Sequence, residues 1–281
     1  MSGQVGPPFR RRRLGHRLRG LRERAGLTLD EAAEQLDKKR TSLHRVETGE
    51  TRADVHLVRS MMDLYDAYED GLLDATREAY KPGWWRAFGL KDFGYVDVET
   101  EASGLMEFNA LNIPGLMQHE PYSRALLQTG TRRTEQELEN MLAVRAIRQK
   151  RLTAKDKPLE LAAIIDEAAL HREVGGSEVM LEQLRHLVQL SAYPTVAFQV
   201  MPFRSGAHDA MSSSFIVLEF PGQDEADLFY VEYTTGAIHI EDEEQVVAAR
   251  LVFDRLRSQA LSPEDSVELV NRVARERYGG S

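Results

Sequence analysis

The 281-residue sequence contains no cysteine, which excludes disulfides and thiolate metal ligands and fits a reducing compartment. No apolar run approaches the roughly 18 residues that a membrane span requires. No apolar core follows the arginines of MSGQVGPPFRRRRLGHRLRG either, so a secretory signal is not expected and a cytoplasmic location is. Tryptophan is confined to one adjacent pair, Trp84 and Trp85. Packing between two domains accounts for such a pair, and a ligand platform is the competing reading. Gly-x-Ser-x-Gly, P-loop and His-Glu-x-x-His patterns are all missing. No enzyme activity, no cofactor and no metal are therefore expected.

What the sequence does contain is an uneven distribution of charge. The formal net charge is −9, yet residues 1–60 hold 14 Lys/Arg against eight Asp/Glu. That segment is +6, which leaves −15 for the remaining 221 residues. Opposite signs in two parts of one chain predict a basic binding module joined to an acidic body, and the length also favours two domains.

Periodicity divides the basic part into short helices. Leu14, Leu18, Leu21 and Ala25 recur at helical spacing and stop at Gly26. Thr28 and Glu31 form a capping-box pattern ahead of Ala32, Ala33 and Leu36. Asp37 breaks the run, and a third helix carries Leu43 and Val46 before ending near Gly49. Asp54 starts a fourth, which closes the module around residue 68. Residues 1–13 are expected to be a disordered basic arm, with Arg10–Arg13 either a solvated tail or a phosphate- or minor-groove-contacting arm.

The stretch DKKRTSLHRVETGE concentrates the chemistry. A helix-turn-helix needs small residues where its helices cross, a turn residue tolerant of left-handed geometry, and an apolar stripe on a second helix that enters the major groove. Ala32 and Ala33 supply the first, Asp37 the second, and Leu43 with Val46 the third. Lys39, Arg40, Thr41, Ser42, His44 and Arg45 remain for the outer face, as donors to phosphates and base edges. Thr28, at the start of the preceding helix, joins them as a candidate DNA contact.

On LGHRLRGLRERAG, GLTLDEAAEQL and RTSLHRVETG, residues 14–68 resemble the lambda-repressor-like (XRE or Cro/C1-type) helix-turn-helix family. The resemblance makes Glu47 structural and Gly49 a helix stop. Asp37 stands where that family usually has glycine, and Lys38-Lys39 where it has an apolar residue and a serine-like cap. Further along, KPGWWRAFG, EASGLMEFNALNIPGLMQHEPYSRALL and IIDEAALHREVGGSEVMLEQLRHLVQLSAYPTVAFQVMPFRSGAH resemble the C-terminal domain (DUF5753) of the WhiJ-like, antitoxin-like actinobacterial regulators. That resemblance implies a small partner protein of the DUF397 type.

The acidic body reads as α+β with an antiparallel sheet. Strands are expected around Leu159–Ile165, Thr195–Phe203, Ser213–Phe220, Asp227–Tyr233 and Gly236–Asp242, the last three as a meander linked by Pro221-Gly222 and Thr235-Gly236. Helices are expected over Pro121–Gln128, Thr134–Leu152, Ser177–Leu190, Glu243–Gln259 and Pro263–Arg277, with Ser262 capping the last. Asp166, Glu167 and His171 have the residue types for acid–base work or metal binding, but a surface ion pair or helix cap is the better reading, since no second ligand cluster appears in the sequence. In the loop after the second of these strands, Phe203, Arg204 and His208 are the candidate effector or partner site.

The expected organisation is thus an arm (1–13), an all-α helix-turn-helix domain (14–68), a linker or transition (69–100) whose helix continues to about Tyr80 and breaks at Pro82-Gly83, and an α+β regulatory domain (101–281). The expected function is sequence-specific DNA binding by helix 40–48, with the C-terminal domain dimerising and sensing a small-molecule effector or a partner. The alternative is an antitoxin-like protein whose main role is holding the small partner, with DNA binding for autoregulation.

Overall fold

A computed structural model describes residues 7–89, 94–129, 133–221 and 226–279. The chain divides into two compact units at Glu101/Ala102.

The N-terminal unit is helical: α1 Phe9–Arg24, α2 Leu29–Gln35, α3 Arg40–Glu47, α4 Val55–Tyr65, α5 Leu72–Glu78 and α6 Tyr95–Glu101, with a 3-10 turn at Trp84–Phe88. Its core joins Leu14, Leu18 and Leu21 of α1 to Ala32 and Ala33, Leu43 and Val46, and Val58, Met61, Met62 and Tyr65. Local chemistry sets the element ends. Thr28 and Glu31 form a complete capping box on α2, and Asp54 caps α4 through Leu57 N–H at 2.8 Å. At the end of α1, Gly26 takes φ +71°, with Gly26 N–H and Leu27 N–H returning to the carbonyls of Glu23 and Arg22.

The expected arm at residues 1–13 is not observed where it is described. Arg10–Arg13 form the first turn of α1, because Phe9 is buried and its N–H donates to Asp97 at 2.6 Å. Asp97 lies on α6, so the cap that starts α1 comes from 88 residues away in sequence. Residues 1–6 lie outside the described residues, as does Gly222 of the expected Pro-Gly turn. The region expected to be a linker carries α5, the 3-10 turn and α6. There Trp85 is buried, and Trp84 meets Trp85 and Phe88 edge-on while its Nε1–H donates to Thr100.

The C-terminal unit holds helices and a six-stranded mixed sheet. Its elements are β1 Gly104–Asn109, α7 Glu120–Leu127, α8 Glu135–Gln149, β2 Glu160–Asp166, α9 Glu167–His171, α10 Ser177–Leu190, β3 Val196–Met201, β4 Phe215–Glu219, β5 Leu228–Tyr233, β6 Gly236–Ile240, α11 Glu243–Gln259 and α12 Pro263–Val273. The order is β3-β2-β1-β4-β5-β6. The expectation of an antiparallel sheet holds for β1-β4-β5-β6 but not for β1-β2-β3, whose two pairings are parallel. Parallel neighbours need long crossovers, and α7–α8 and α9–α10 provide them.

One face of the sheet packs Phe108, Ile164, Phe215 and Val217 against Val246, Ala249, Phe253 and Leu256 of α11. The register puts Leu105, Leu161, Ile165, Phe198, Val200 and Leu218 on the other face, and all are buried. Burial on both faces explains the uninterrupted apolar run of β2.

The two sheet edges differ. At β3, Val200 N–H donates to Ser266 Oγ (2.9 Å) and Val200 O accepts from Leu261 N–H (2.9 Å), so the α11–α12 connection covers that edge. The outer side of β6 has no strand partner among the described residues.

Candidate nucleic-acid interface

The turn between α2 and α3 closes on Asp37, which takes φ +52°. Its N–H donates to Glu34 O (3.1 Å) and Lys38 N–H to Ala33 O (2.8 Å), a Schellman turn with aspartate in the place usually filled by glycine. A short polar side chain tolerates this left-handed conformation better than most. Lys39 occupies the cap position of α3 with no side-chain cap bond. Ser42 N–H already donates to Lys39 O at 2.8 Å, which leaves the N–H groups of Arg40 and Thr41 at the positive end of the α3 dipole, beside exposed Lys38, Lys39 and Arg40.

Along α3 the division between faces is sharp. Leu43, Val46 and Glu47 are buried, whereas Arg40, Thr41, Ser42, His44 and Arg45 are exposed. Thr41 and Arg45, four apart, share the centre of the outer face, with His44 and Ser42 on its two sides. Arg40 sits toward α2, where it meets Asp30 at 3.2 Å; both side chains are more than 60% exposed, so solvent and salt weaken the pair. Arg45 stands 3.9 Å from Glu50 and is equally open. Both arginines are available to phosphate or base acceptors. Thr28 is differently placed: its hydroxyl and N–H both bond Glu31 Oε2 in the capping box.

The pose of α3 is fixed from behind by contacts that periodicity does not reveal. Arg22 of α1 grips Glu47 in two parallel hydrogen bonds, Nε to Oε1 at 2.7 Å and Nη2 to Oε2 at 2.9 Å, and gives a third to Leu27 O. Both side chains are more than 90% buried. The hydrogen bonds that Arg22 donates to Glu47 raise its guanidinium above its ordinary value. Burial, with the Glu47 charge nearby, pushes the Tyr65 hydroxyl up to about 12. The backbones also meet closely. A Cβ on Gly15 would lie 2.4 Å from Glu47 O, and one on Gly49, at φ +75°, 2.8 Å from the Arg11 backbone. Glycine is required at both crossings.

The arginines of the first turn of α1 are drawn into the unit. Arg10 pairs with Glu101 at 2.6 Å, and Arg13 lies 3.8 Å from the same carboxylate, its value pushed down to about 10 by burial. Arg12 donates to Pro7 O, and Arg11 lies 5.0 Å above the Tyr80 ring.

In the C-terminal unit, Phe203 and His208 come together with Asp166, Glu167 and His171 at the C-terminal ends of β2 and β3. Phe203 stacks on His171 (centroids 5.7 Å, 25°) and its N–H donates to Glu167 Oε2 at 2.8 Å. The His208 ring is buried edge-on against Phe108, with Nε2 3.8 Å from Asp166 Oδ2. Asp166 also caps α9 through Ala168 N–H. Arg204 is exposed. These carboxylates thus hold a cap and a loop, and no cluster among the described residues has the makings of a metal site.

A family model described as a helix-turn-helix domain matches residues 13–75. A second, described as a domain of unknown function (DUF5753), matches residues 94–272, well over half of the chain. No curated protein and no solved structure matches the sequence. The chain belongs to the DUF5753 family, and its helix-turn-helix marks it as a DNA-binding regulator in general terms.

Proposed function

We propose that this member of the DUF5753 family is a sequence-specific transcriptional regulator that reads the major groove with α3 and acts as a homodimer. The observation that carries the reading is the two-sided character of α3: Leu43, Val46 and Glu47 are locked into the core, while Arg40, Thr41, Ser42, His44 and Arg45 are turned outward as donors suited to base edges and phosphates. Lys38, Lys39 and the uncapped first turn of α3 add a phosphate anchor. Thr28 reaches DNA through its position at the start of α2, since its side chain is held by Glu31.

The open edge of β6 supports dimerisation through the C-terminal unit. Tyr233 and Ile238, paired in register with Gly236 and Val231, lie on the sheet face that carries α11 and are about half exposed, as are Val247 and Leu251 of α11 itself. A strand edge without a strand partner, beside exposed apolar side chains, is a surface that a second copy satisfies by extending the sheet about a two-fold axis. Two recognition helices then reach successive major grooves about 34–36 Å apart, so the operator is a pseudo-palindrome. Phe203, Arg204 and His208 remain the proposed contact for an effector or partner in this unit, and a cytoplasmic location suits such a regulator.

The antitoxin-like alternative assigns the same β6 shoulder to a small DUF397-type protein. The two readings separate on whether the chain, expressed with a DUF397-type protein, purifies as a fixed-ratio complex or as a homodimer of twice 31.8 kDa. Selection of binding sites from genomic DNA tests the main reading. It should return an inverted repeat bound with a steep inverse dependence on salt, whereas sequences without a shared repeat would reject it.

A further inference from the structure

A cleft of about 540 Å³ opens in the N-terminal unit away from the outer face of α3. Its wall is formed by the first turn of α1 (Arg10, Arg11), Glu50, and the segment Tyr80–Arg86, which includes Lys81, Gly83 and Trp85. That volume suits a small organic molecule.

Two features say what kind. The first is a pair of hydrogen-bond donors without acceptors. Trp85 is 2% exposed and its Nε1–H has no partner among the described residues; the Arg11 Nε–H is likewise buried and unpaired among them. Both side chains line the cleft, and both can only donate. A buried donor left unpaired costs about 1–3 kcal/mol, so two orphan donors lining one cleft are matched by an occupant rich in acceptors. The second feature is charge. Four cations, Arg10, Arg11, Lys81 and Arg86, line the cleft against two carboxylates, Glu50 and Asp97. Asp97 is already committed to the N–H of Phe9. Arg10 and Lys81 also reach carboxylates outside the lining, Glu101 and Glu78. Arg11 has no carboxylate partner among the described residues; it rests on the face of Tyr80, which Arg52 covers at 4.9 Å.

We propose that this cleft binds a small phosphorylated molecule, its phosphate oxygens taking the N–H groups of Arg11 and Trp85, with Lys81 at the rim. A phosphate monoester or pyrophosphate brings the close-set acceptors that the two donors lack and the counter-charge that Arg11 lacks. A phosphate of a DNA backbone has the same chemistry, but a duplex does not follow a donor as deeply buried as the Trp85 indole. Resting on the regulator reading above, the site also has a route to α3: the backbone of Arg11 is the surface against which Gly49, the stop of α3, is packed. An occupant that draws on Arg11 acts on the end of the recognition helix.

The test uses the full chain without DNA, so it stands apart from the regulator reading. Both tryptophans lie in this unit, and Trp84→Phe leaves Trp85 as the sole reporter. Titration of that variant with inorganic pyrophosphate, at ionic strength held constant with potassium chloride, should give a saturable change in fluorescence. Arg11→Met should weaken the apparent affinity at least tenfold, and Lys81→Gln, at an exposed position, about threefold. Arg11→Met is checked for its fold by circular dichroism, and Lys81→Gln keeps the test decisive if that variant unfolds. A change no larger than that from the chloride control, or an affinity untouched by Lys81→Gln and by a folded Arg11→Met, overturns the proposal. So does a response to duplex DNA and none to pyrophosphate, which would give the donors to the DNA backbone.

Discussion

Replacing Arg22 by methionine should be among the most damaging single changes to the N-terminal unit. The side chain makes three hydrogen bonds, two of them to Glu47, and is 8% exposed against 3% for its partner. Arg22→Met leaves the Glu47 carboxylate buried without a counter-charge and the Leu27 carbonyl without its donor. Removing one member of such a pair costs about 3–5 kcal/mol, whereas replacing both members by apolar residues of similar size is often neutral or better. Arg22→Met should therefore destabilise by about 3–5 kcal/mol, and Arg22→Met/Glu47→Leu should recover most of the loss. Urea unfolding followed by tryptophan fluorescence measures this, because Trp84 and Trp85 both belong to the unit under test. A single variant within about 1 kcal/mol of the wild type, the range of solvated surface pairs, would refute the claim that the pair clamps α3. So would a double variant no better than the single one.

Two further outcomes follow from the same geometry. Burial raises the Asp97 carboxyl above its ordinary 3.8, opposed by the Phe9 N–H and the charges of Arg10 and Arg12 and assisted by Glu101. The folded state therefore holds this proton to higher pH than the unfolded chain does, and stability falls as pH rises from about 3.8 through the raised value. Asp97→Asn, which keeps an acceptor for Phe9 N–H, should flatten that slope in melting curves recorded from pH 4 to 7; an unchanged slope contradicts the assignment. Ile238→Lys, at a half-exposed position on the open edge strand, should convert the proposed dimer to a 31.8-kDa monomer in light scattering with no loss of fold. A dimer that survives it lies elsewhere.

The parts of this structure that were legible in the sequence are those decided by neighbours in the chain. Thr28 and Glu31 signal their capping box at three-residue spacing, Ser262-Pro263 announces α12, and Leu43 and Val46 mark the buried side of α3. Asp37, a departure from the family pattern, proved compatible with the turn because aspartate adopts the left-handed φ that glycine usually supplies. What the sequence hid are pairings between distant residues. Arg10–Arg13 read as a tail because nothing local caps their helix; its cap, Asp97, lies on α6, which carries no strong periodic signal. The parallel pairing of β1, β2 and β3 was hidden in the same way, although the unbroken apolar run Leu161–Ile165 carries the mark of a strand buried on both faces. At the site, the outward donors of α3 could be read from spacing. The Arg22–Glu47 clamp and the orphan donors of Arg11 and Trp85 required coordinates.

The central claim, that the outer face of α3 reads DNA, is tested most directly by Arg40→Ala/Arg45→Ala on a selected operator. Both side chains are exposed and bear only weak surface pairs, so the melting temperature should stay within a few degrees. An arginine bonded to a base edge supplies about 1–3 kcal/mol, so removing two should weaken specific binding about a hundredfold in a gel-shift titration. A folded double variant that binds its operator as tightly as the wild type would contradict the account.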